Sequence, residues 1–126
     1  MKAITLREPW ASLVVNGYKK YEFRSWKTSY RGKILIHAAK LCDKNNIDRF
    51  KSYNLNYGTS EIIGEVEIID CIKVDDELRE KLSKIDNNVY SKSGFNETYA
   101  FVLTNCKKYD KYISCKGKLN IWKFDE

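Results

Sequence analysis

The sequence predicts an α+β fold, a small mixed β-barrel with two or three short helices. Its 126 residues include one proline and contain no repeat, low-complexity tract or Gly/Ser-rich linker, so we expect a single domain over residues 1–126. Apolar, β-branched runs predict roughly six strands. These runs do not alternate regularly with helical segments, which disfavours a doubly wound parallel sheet.

The N-terminal quarter begins with a short predicted strand, residues 2–6, and a helix of about two turns follows it. Pro9 suits the first helical turn, and Gly17 stands where helices commonly end. Trp10 and Leu13 have helical spacing and share one apolar face, so we expect Trp10 to contribute to the core.

The remaining elements follow from changes in hydrophobic period. Alternating or continuous apolar runs predict strands at residues 21–26, 34–38, 61–74, 99–104 and 119–124. The run at 61–74 is either one bent strand or two strands joined at Gly64. Helical spacing predicts a short helix near residues 47–53 and another from residue 75, where acids in the first turn complement the helix dipole.

The net charge of +6 is distributed unevenly along the chain. Residues 1–60 carry 12 basic and 4 acidic side chains, a charge of +8, whereas residues 61–126 carry 11 basic and 13 acidic ones, a charge of −2. A one-sided basic surface is typical of polyanion binders, most often nucleic-acid binders. Many basic proteins bind no specific anion, so charge alone leaves the function open.

Cysteine usage indicates a reducing compartment. Cys42, Cys71, Cys106 and Cys115 stand 29, 35 and 9 residues apart, without a close pair and with one histidine in the chain, His37. This spacing disfavours structural zinc, and we expect free, buried thiols, no metal and no cofactor. No apolar run approaches the roughly 18 residues of a membrane span, and the N-terminus lacks a secretory signal pattern, so we expect a cytoplasmic protein without membrane contact.

A dense group of opposite charges follows Gly17. Lys19 lies on the connection after the helix, and Glu22 and Arg24 share one face of the next predicted strand. An amine, a carboxylate and a guanidinium can therefore converge. They form either a surface ion-pair cluster worth under about 1 kcal/mol, or a polar cleft that holds an anion, polarises a carbonyl and moves a proton.

Several ordered motifs make the sequence similar to one family. They are Pro9-Trp10-Ala11-Ser12-Leu13-Val14, Gly17-x-Lys19-x-x-Glu22-x-Arg24-Ser25-Trp26, Tyr30-Arg31-Gly32, Ile34-Leu35-Ile36-His37-Ala38, Tyr99-Ala100-Phe101-Val102-Leu103 and Lys116-Gly117-Lys118-Leu119-x-Ile121-Trp122. Together they resemble an ASCH domain, the activating signal cointegrator homology family of the PUA-like superfamily. The resemblance spans nearly the whole chain.

The resemblance implies a PUA-like β-barrel with a cleft for RNA, lined by Lys19, Glu22 and Arg24 at the matching positions. Some related small proteins hydrolyse the amide of N4-acetylcytidine with a lysine and a threonine of this segment and a glutamate from elsewhere. Lys19 matches that lysine, but Glu22 replaces the threonine, and the distant glutamate has no assigned position here. Another related type is a ribonuclease.

Further candidates for contact with RNA lie in the basic half. Trp26 shares strand parity with Glu22 and is the better aromatic candidate for base stacking. The basic candidates for phosphate contacts are Arg7, Arg31, Lys33 and Lys40. His37 is either an acid or base that titrates near neutral pH or, more commonly for a histidine in an apolar strand, a hydrogen-bonded structural residue.

The sequence therefore predicts an RNA-binding domain whose cleft, built from Lys19, Glu22, Arg24 and Trp26, takes RNA or a modified nucleoside. A second interpretation is a hydrolase acting on N4-acetylcytidine-type amides or on RNA, with Lys19, Glu22 and Arg24 as catalytic residues. A third is a protein-interaction module in which the charged group is a surface feature and the partner is another protein.

Overall fold

The computed structural model describes residues 1–90 and 98–125. It confirms the predicted fold class, because a curled, six-stranded half-barrel sheet carries a few short helices. The elements are β1 (Lys2–Leu6), α1 (Trp10–Val15), β2 (Tyr21–Arg24), β3 (Gly32–Ala38), a 3-10 helix (Ile47–Tyr53), β4 (Glu61–Lys73), α2 (Asp76–Ile85), β5 (Tyr99–Ser114) and β6 (Ile121–Lys123). None of the helices in the described ranges has the length and apolar character needed to cross a membrane.

The strand order in the sheet is β2-β5-β4-β3-β1-β6. β1 runs parallel to β3, and the other neighbours are antiparallel. The sheet curls far enough that its β2 edge returns to β1, where the guanidinium of Arg24 donates a hydrogen bond to the carbonyl of Thr5 over 2.9 Å. This side-chain contact joins two strands that are four places apart in the sheet.

The inner face of the curled sheet carries the main core. Apolar side chains from β1, β3, β4 and β5 pack there against α1, and Ile34, Ile36 and Ile63 have essentially no exposure. A second apolar cluster fills the space between α1, the 3-10 helix and α2 around Phe50 and Leu82. Burial of these side chains fixes α1 and the 3-10 helix beside the β1 and β2 edges, where the cleft opens.

A buried carboxylate fastens α1 to a distant loop. Glu8 is 1% exposed, and it accepts hydrogen bonds from the backbone N–H of Ser12 (2.8 Å), the Ser12 hydroxyl (2.6 Å) and the backbone N–H of Gly58 (2.8 Å). Burial raises the pKa of Glu8, and the three hydrogen bonds oppose this effect.

Gly17 ends the helix at a φ of +82°, a conformation that favours glycine.

The boundaries of some elements differ from the sequence prediction. β4 is one continuous strand with register shifts on both sides of Gly64, where a Cβ would lie 2.3 Å from the carbonyl oxygen of Lys107. β5 extends ten residues beyond the predicted end because its second half pairs with the start of β4. The expectation of buried thiols is wrong: Cys106 is exposed and the other three cysteines are half-buried, although all four are free.

Candidate nucleic-acid interface

A cleft of about 800 Å³ opens where the β2 edge of the sheet approaches β1. The end of β1, the start of α1, strand β2 and residues 39–49 supply its walls, and residues 118–120 close one side. Its volume lies within the range of about 300–1,000 Å³ that is typical of small-ligand sites. The cleft is therefore large enough for a nucleoside or a nucleotide and too small for a nucleic-acid duplex.

The charged group predicted from the sequence converges on one wall of this cleft. The ammonium of Lys19 lies 3.0 Å from Oε1 of Glu22, and Nε of Arg24 lies 3.0 Å from Oε2. Lys19 is 5% exposed and Glu22 is 9% exposed. Each carboxylate oxygen thus faces one cation, so this is a largely buried triad and not a solvated surface cluster.

Local backbone geometry brings the triad together. After α1, the backbone N–H groups of Tyr18 and Lys19 both donate to the carbonyl of Leu13, which turns the chain sharply into β2. The ammonium of Lys19 then folds back to the carbonyl of Tyr21, at 2.5 Å, and lies 4.8 Å from the centre of the Phe23 ring. The turn therefore places Lys19 beside the strand that carries Glu22.

Both cations keep donors for a ligand. Among the described residues Lys19 has two hydrogen-bond acceptors, Tyr21 and Glu22, so one of its three N–H groups has none. Arg24 uses two of its five N–H groups, one on Glu22 and one on Thr5. The remaining donors are suited to a carbonyl or phosphate oxygen in the cleft.

Two indole rings, those of Trp10 and Trp26, line the cleft. Trp26 follows the end of β2 and packs edge-on against Phe101, with ring centres 5.2 Å apart. Trp10, expected in the core, is half-buried: its ring packs against Phe50, and its indole N–H donates to Asp43 over 3.1 Å at the cleft wall. Aromatic faces beside cationic donors are the combination that single-stranded nucleic-acid binders use.

Asp43 belongs to a polar wall that the sequence did not indicate. Burial raises its pKa, but hydrogen bonds from Asn46 and Trp10, a backbone N–H and the nearby charge of Arg7 outweigh burial and lower the pKa. Arg49 bonds to Asn46 and to the carbonyl of Asn88. Asp43 therefore stays ionised and holds the indole of Trp10 in place.

The charges of the lining residues favour an anion. Five cations line the cleft, from Arg7, Lys19, Arg24, Arg49 and Lys118, against two carboxylates, from Glu22 and Asp43. Within the two described ranges, no group of three or more His, Cys, Asp or Glu side chains is arranged to hold a metal ion. The side chains themselves therefore supply the positive potential of the site.

Comparison with known proteins shows which family carries this fold. The family model of the ASCH domain matches residues 4–125. This chain belongs to the ASCH domain family. Two curated relatives, the activating signal cointegrator 1 proteins of Homo sapiens and Mus musculus, are each 28% identical to it over 134 residues. The match covers 97% of this chain and 22% of each relative, so the chain spans about a fifth of their length.

Solved structures show the same architecture. The crystal structure of ASCH from Zymomonas mobilis matches with a TM-score of 0.57 at 18% identity, over 90% of this chain and 72% of that one. Two point mutants of that protein match over 90% of this chain and 74% and 72% of theirs, with TM-scores of 0.55 and 0.56 at 17% and 16% identity. At this level of identity the likeness shows the ASCH fold.

Three of the basic residues that the sequence suggested do not line the cleft. Arg31 bonds to the carbonyls of Thr28 and Tyr30, away from the cleft. Lys33 pairs with Glu65 at 3.2 Å. Lys40 is exposed but does not line the cleft. Of the suggested basic residues outside the triad, Arg7 alone lies at the cleft.

His37 is a buried structural residue in this ASCH domain. It is 1% exposed, its Nδ1 lies 3.2 Å from the hydroxyl of Thr5, and its Nε2 lies 2.8 Å from the carbonyl of Cys115. The indole N–H of Trp122 also donates to the Thr5 hydroxyl, over 3.1 Å. Because a carbonyl oxygen only accepts, Nε2 is the donor to Cys115, and both ring nitrogens of His37 have partners inside the fold.

The third wall of the cleft comes from the C-terminal end of the chain. Lys118, Leu119 and Asn120 line it, although they are about 95 residues from the triad in sequence. The charge count by halves placed the excess in residues 1–60, yet Lys118 belongs to the other half. The parallel pairing of β1 with β3 and the antiparallel pairing of β1 with β6 bring this loop to the cleft, and the sequence carried no signal of it.

Proposed function

We propose that this ASCH domain binds single-stranded RNA or a modified nucleoside in the cleft formed by Lys19, Glu22, Arg24 and Trp26. The observation that carries the proposal is the buried triad at the wall of an open, cationic cleft. Glu22 holds both cations in fixed positions, so their free donors are already oriented for a ligand. Family membership supports the proposal, since ASCH domains are generally RNA-binding.

The chemistry of the walls suits a nucleotide better than a simple anion. A base needs an aromatic face and edge donors, and Trp26, Lys19 and Arg24 offer these in one place. A phosphate needs cations at the entrance, and Arg7 and Lys118 are exposed there. The positive lining supports an RNA ligand whose affinity falls steeply with added salt.

Fluorescence anisotropy with a short single-stranded RNA over a salt series tests this proposal. Wild-type affinity is expected to fall with salt, because phosphate contacts release counterions. Replacement of the rim cation in Arg7→Ala is expected to reduce the slope of log affinity against log salt by about 0.7, the value for one phosphate contact on a single strand. Arg24→Ala is expected to lower affinity about tenfold by removing a charge-assisted contact.

Lys33→Ala is the matched control, because Lys33 is exposed and basic but pairs with Glu65 outside the cleft. Its affinity and salt slope are expected to stay close to those of the wild type. An affinity that does not change with salt, or an equal loss in Lys33→Ala and Arg24→Ala, contradicts binding in the cleft. Equal losses would mean that RNA binds on another surface, whereas absence of RNA binding would favour the protein-interaction interpretation.

A second candidate function is hydrolysis of an N4-acylated cytidine. The observation that favours it is the amine of Lys19, 5% exposed, 3.0 Å from a carboxylate and at the wall of a nucleoside-sized cleft. In this reaction water adds to the acyl carbon, the bond from that carbon to N4 breaks, and N4 gains a proton, releasing cytidine and a carboxylic acid. Lys19 would stabilise the oxyanion, and Glu22 would transfer the proton.

Incubation of the purified protein with N4-acetylcytidine, followed by chromatography of the products, tests the hydrolase function. Release of cytidine by the wild type and its loss in Lys19→Met would support it. Equal traces of product from both proteins would contradict it. RNA cleavage is tested in parallel on a gel with the same pair of proteins, because a contaminating nuclease acts equally in both samples.

A further inference from the structure

The rim of the cleft carries an apolar side chain that folding does not explain. Leu119 is 88% exposed, more than any other large apolar residue that the structure describes. It also lines the cleft, between Lys118 and Asn120. A leucine surrounded by water gains nothing from the hydrophobic effect until a partner covers it.

The loop that carries Leu119 is held at both ends. The backbone N–H of Cys115 donates to the carbonyl of Ser60 over 3.0 Å, and its carbonyl accepts a hydrogen bond from His37. On the other side, Ile121 begins β6 and pairs with Ile4. The loop that carries Leu119 is therefore held in place at both ends.

The middle of the loop packs closely against β1 and β3. A Cβ at Gly117 would lie 2.7 Å from both Cε1 of His37 and the hydroxyl oxygen of Thr5. Thr5 is the residue whose carbonyl accepts the hydrogen bond from Arg24. Thr5 of β1 therefore contacts the loop that carries Leu119 and also accepts a hydrogen bond from Arg24 of the triad.

The surroundings of Leu119 match a nucleic acid better than an apolar protein surface. Lys116 and Lys118 precede it in the same loop, both are exposed, and neither has an ion-pair partner within the described part of the chain. Proteins that unstack bases combine basic side chains with an apolar wedge inserted between base steps, and an exposed leucine beside two lysines offers both. The cleft beside it has room for one displaced nucleotide and not for a helix.

We propose that Leu119 is a wedge that inserts into a base-paired RNA segment at the cleft rim and keeps the adjacent nucleotide out of the stack, so that its base enters the cleft. The preferred ligand is then an RNA with a stem next to the bound nucleotide. This proposal rests on the RNA-binding function proposed above. Leu119 contributes apolar contact where a base has left, and Lys116 and Lys118 of the same loop hold the adjacent backbone phosphates.

Base unstacking in a hairpin RNA tests the wedge. The probe is a set of hairpins with 2-aminopurine placed at each stem position in turn, since its fluorescence increases when it leaves the stack. Wild-type protein is expected to increase the fluorescence at one position. Leu119→Ala is expected to abolish that increase and to weaken hairpin binding about tenfold, a clearly larger loss than it causes for a single strand.

Two variants serve as controls. Ile85→Ala removes an apolar side chain that is 64% exposed at the end of α2 and does not line the cleft, so it is expected to behave as the wild type. Leu119→Phe keeps an apolar tip and is expected to keep the fluorescence increase. Because Leu119 makes little contact with the fold, Leu119→Ala is expected to melt at the wild-type temperature.

The outcomes distinguish failure of the wedge from failure of the RNA-binding function on which it rests. Wild-type protein that binds neither the hairpin nor the single strand overturns the RNA-binding function and the wedge together. Wild-type protein that binds single-stranded RNA through Arg24 but unstacks no position overturns the wedge and leaves RNA binding intact. An equal fluorescence increase with Leu119→Ala and wild type also overturns the wedge.

Discussion

Glu8 and Glu22 are both buried carboxylates, but the groups that contact them differ. Glu8 is 1% exposed and accepts three hydrogen bonds from uncharged donors of Ser12 and Gly58. Glu22 is 9% exposed and faces two cations, each 3.0 Å away. Glu8 fastens α1 to the loop at Gly58, whereas Glu22 lines the cleft.

The comparison shows that burial of a carboxylate does not by itself identify a binding site. Among the described residues Glu8 has no ion-pair partner, and burial raises its pKa, as expected of a group enclosed for structural reasons. Glu22 lies in a group of charges that stays open on one side. A candidate site is identified by the charged partners together with the cleft, and each carboxylate predicts a different consequence of mutation.

The largest effect on stability is expected from Glu8→Ala. Loss of the carboxylate leaves two backbone N–H groups without acceptors, leaves the Ser12 hydroxyl with the carbonyl of Asn56 at 3.4 Å, and creates a cavity. We expect the free energy of unfolding to fall by about 3 kcal/mol. Urea unfolding followed by circular dichroism measures it, and a loss below about 1 kcal/mol would contradict the structural role of Glu8.

Glu22→Gln is expected to lower RNA affinity in addition to stability. Its amide oxygen can serve one cation, but its NH₂ group then faces the other, so Lys19 or Arg24 leaves its position. We expect about a tenfold loss of RNA affinity and a loss of stability of about 2 kcal/mol.

Glu8→Gln is the matched variant for this experiment, because it places the same amide away from the cleft. Anisotropy measured on the folded fraction of each protein makes the comparison. Equal losses of RNA affinity in the two variants would show that the two carboxylates do not differ in function.

A smaller effect is expected in the pH dependence of stability. Because the pKa of Glu8 is raised above 4.5 in the folded protein, folding favours its protonated form. Its contribution to stability is complete below pH 4.5 and is lost as pH rises through the folded-state pKa. The difference in unfolding free energy between wild type and Glu8→Gln should therefore grow as pH falls from neutrality toward 4.5. A difference independent of pH would contradict the raised pKa.

The smallest effect is expected from Trp10→Phe. The substitution keeps an aromatic ring against Phe50 but removes the indole N–H that donates to Asp43. We expect a loss of about 1.5 kcal/mol in unfolding free energy, the lower end of the range for a hydrogen bond to a charged acceptor, because the site is partly open. Thermal unfolding measures it, and Trp10→Ala, which also removes the ring, should lose clearly more.

Local signals in the sequence were enough to predict the triad and the strands around it. Lys19, Glu22 and Arg24 are separated by two or three residues, so a single turn and strand determine their convergence. The fold class followed from apolar runs of strand length. Strand ends were less predictable, since β5 continues to Ser114 only because the start of β4 lies beside it.

The other walls of the cleft depend on pairing between distant segments. Asp43 has no local pattern that separates it from ordinary loop residues. Leu119, predicted at the start of a strand over residues 119–124, lies in the loop before β6, and the curl of the sheet brings both residues to the triad. Glu8 gave no local signal either, because Gly58, one of its partners, is fifty residues away. Trp26 was placed by strand parity, although β2 ends at Arg24, two residues before it.

The three tryptophans provide the most direct test of the central claim, that RNA occupies the cleft. Trp10 and Trp26 line it, whereas Trp122 is 7% exposed and does not line it. In ¹⁵N–¹H NMR spectra recorded during titration with a short single-stranded RNA, the indole signals of Trp10 and Trp26 should shift most and that of Trp122 least. Unchanged Trp10 and Trp26 signals at saturating RNA would contradict the account.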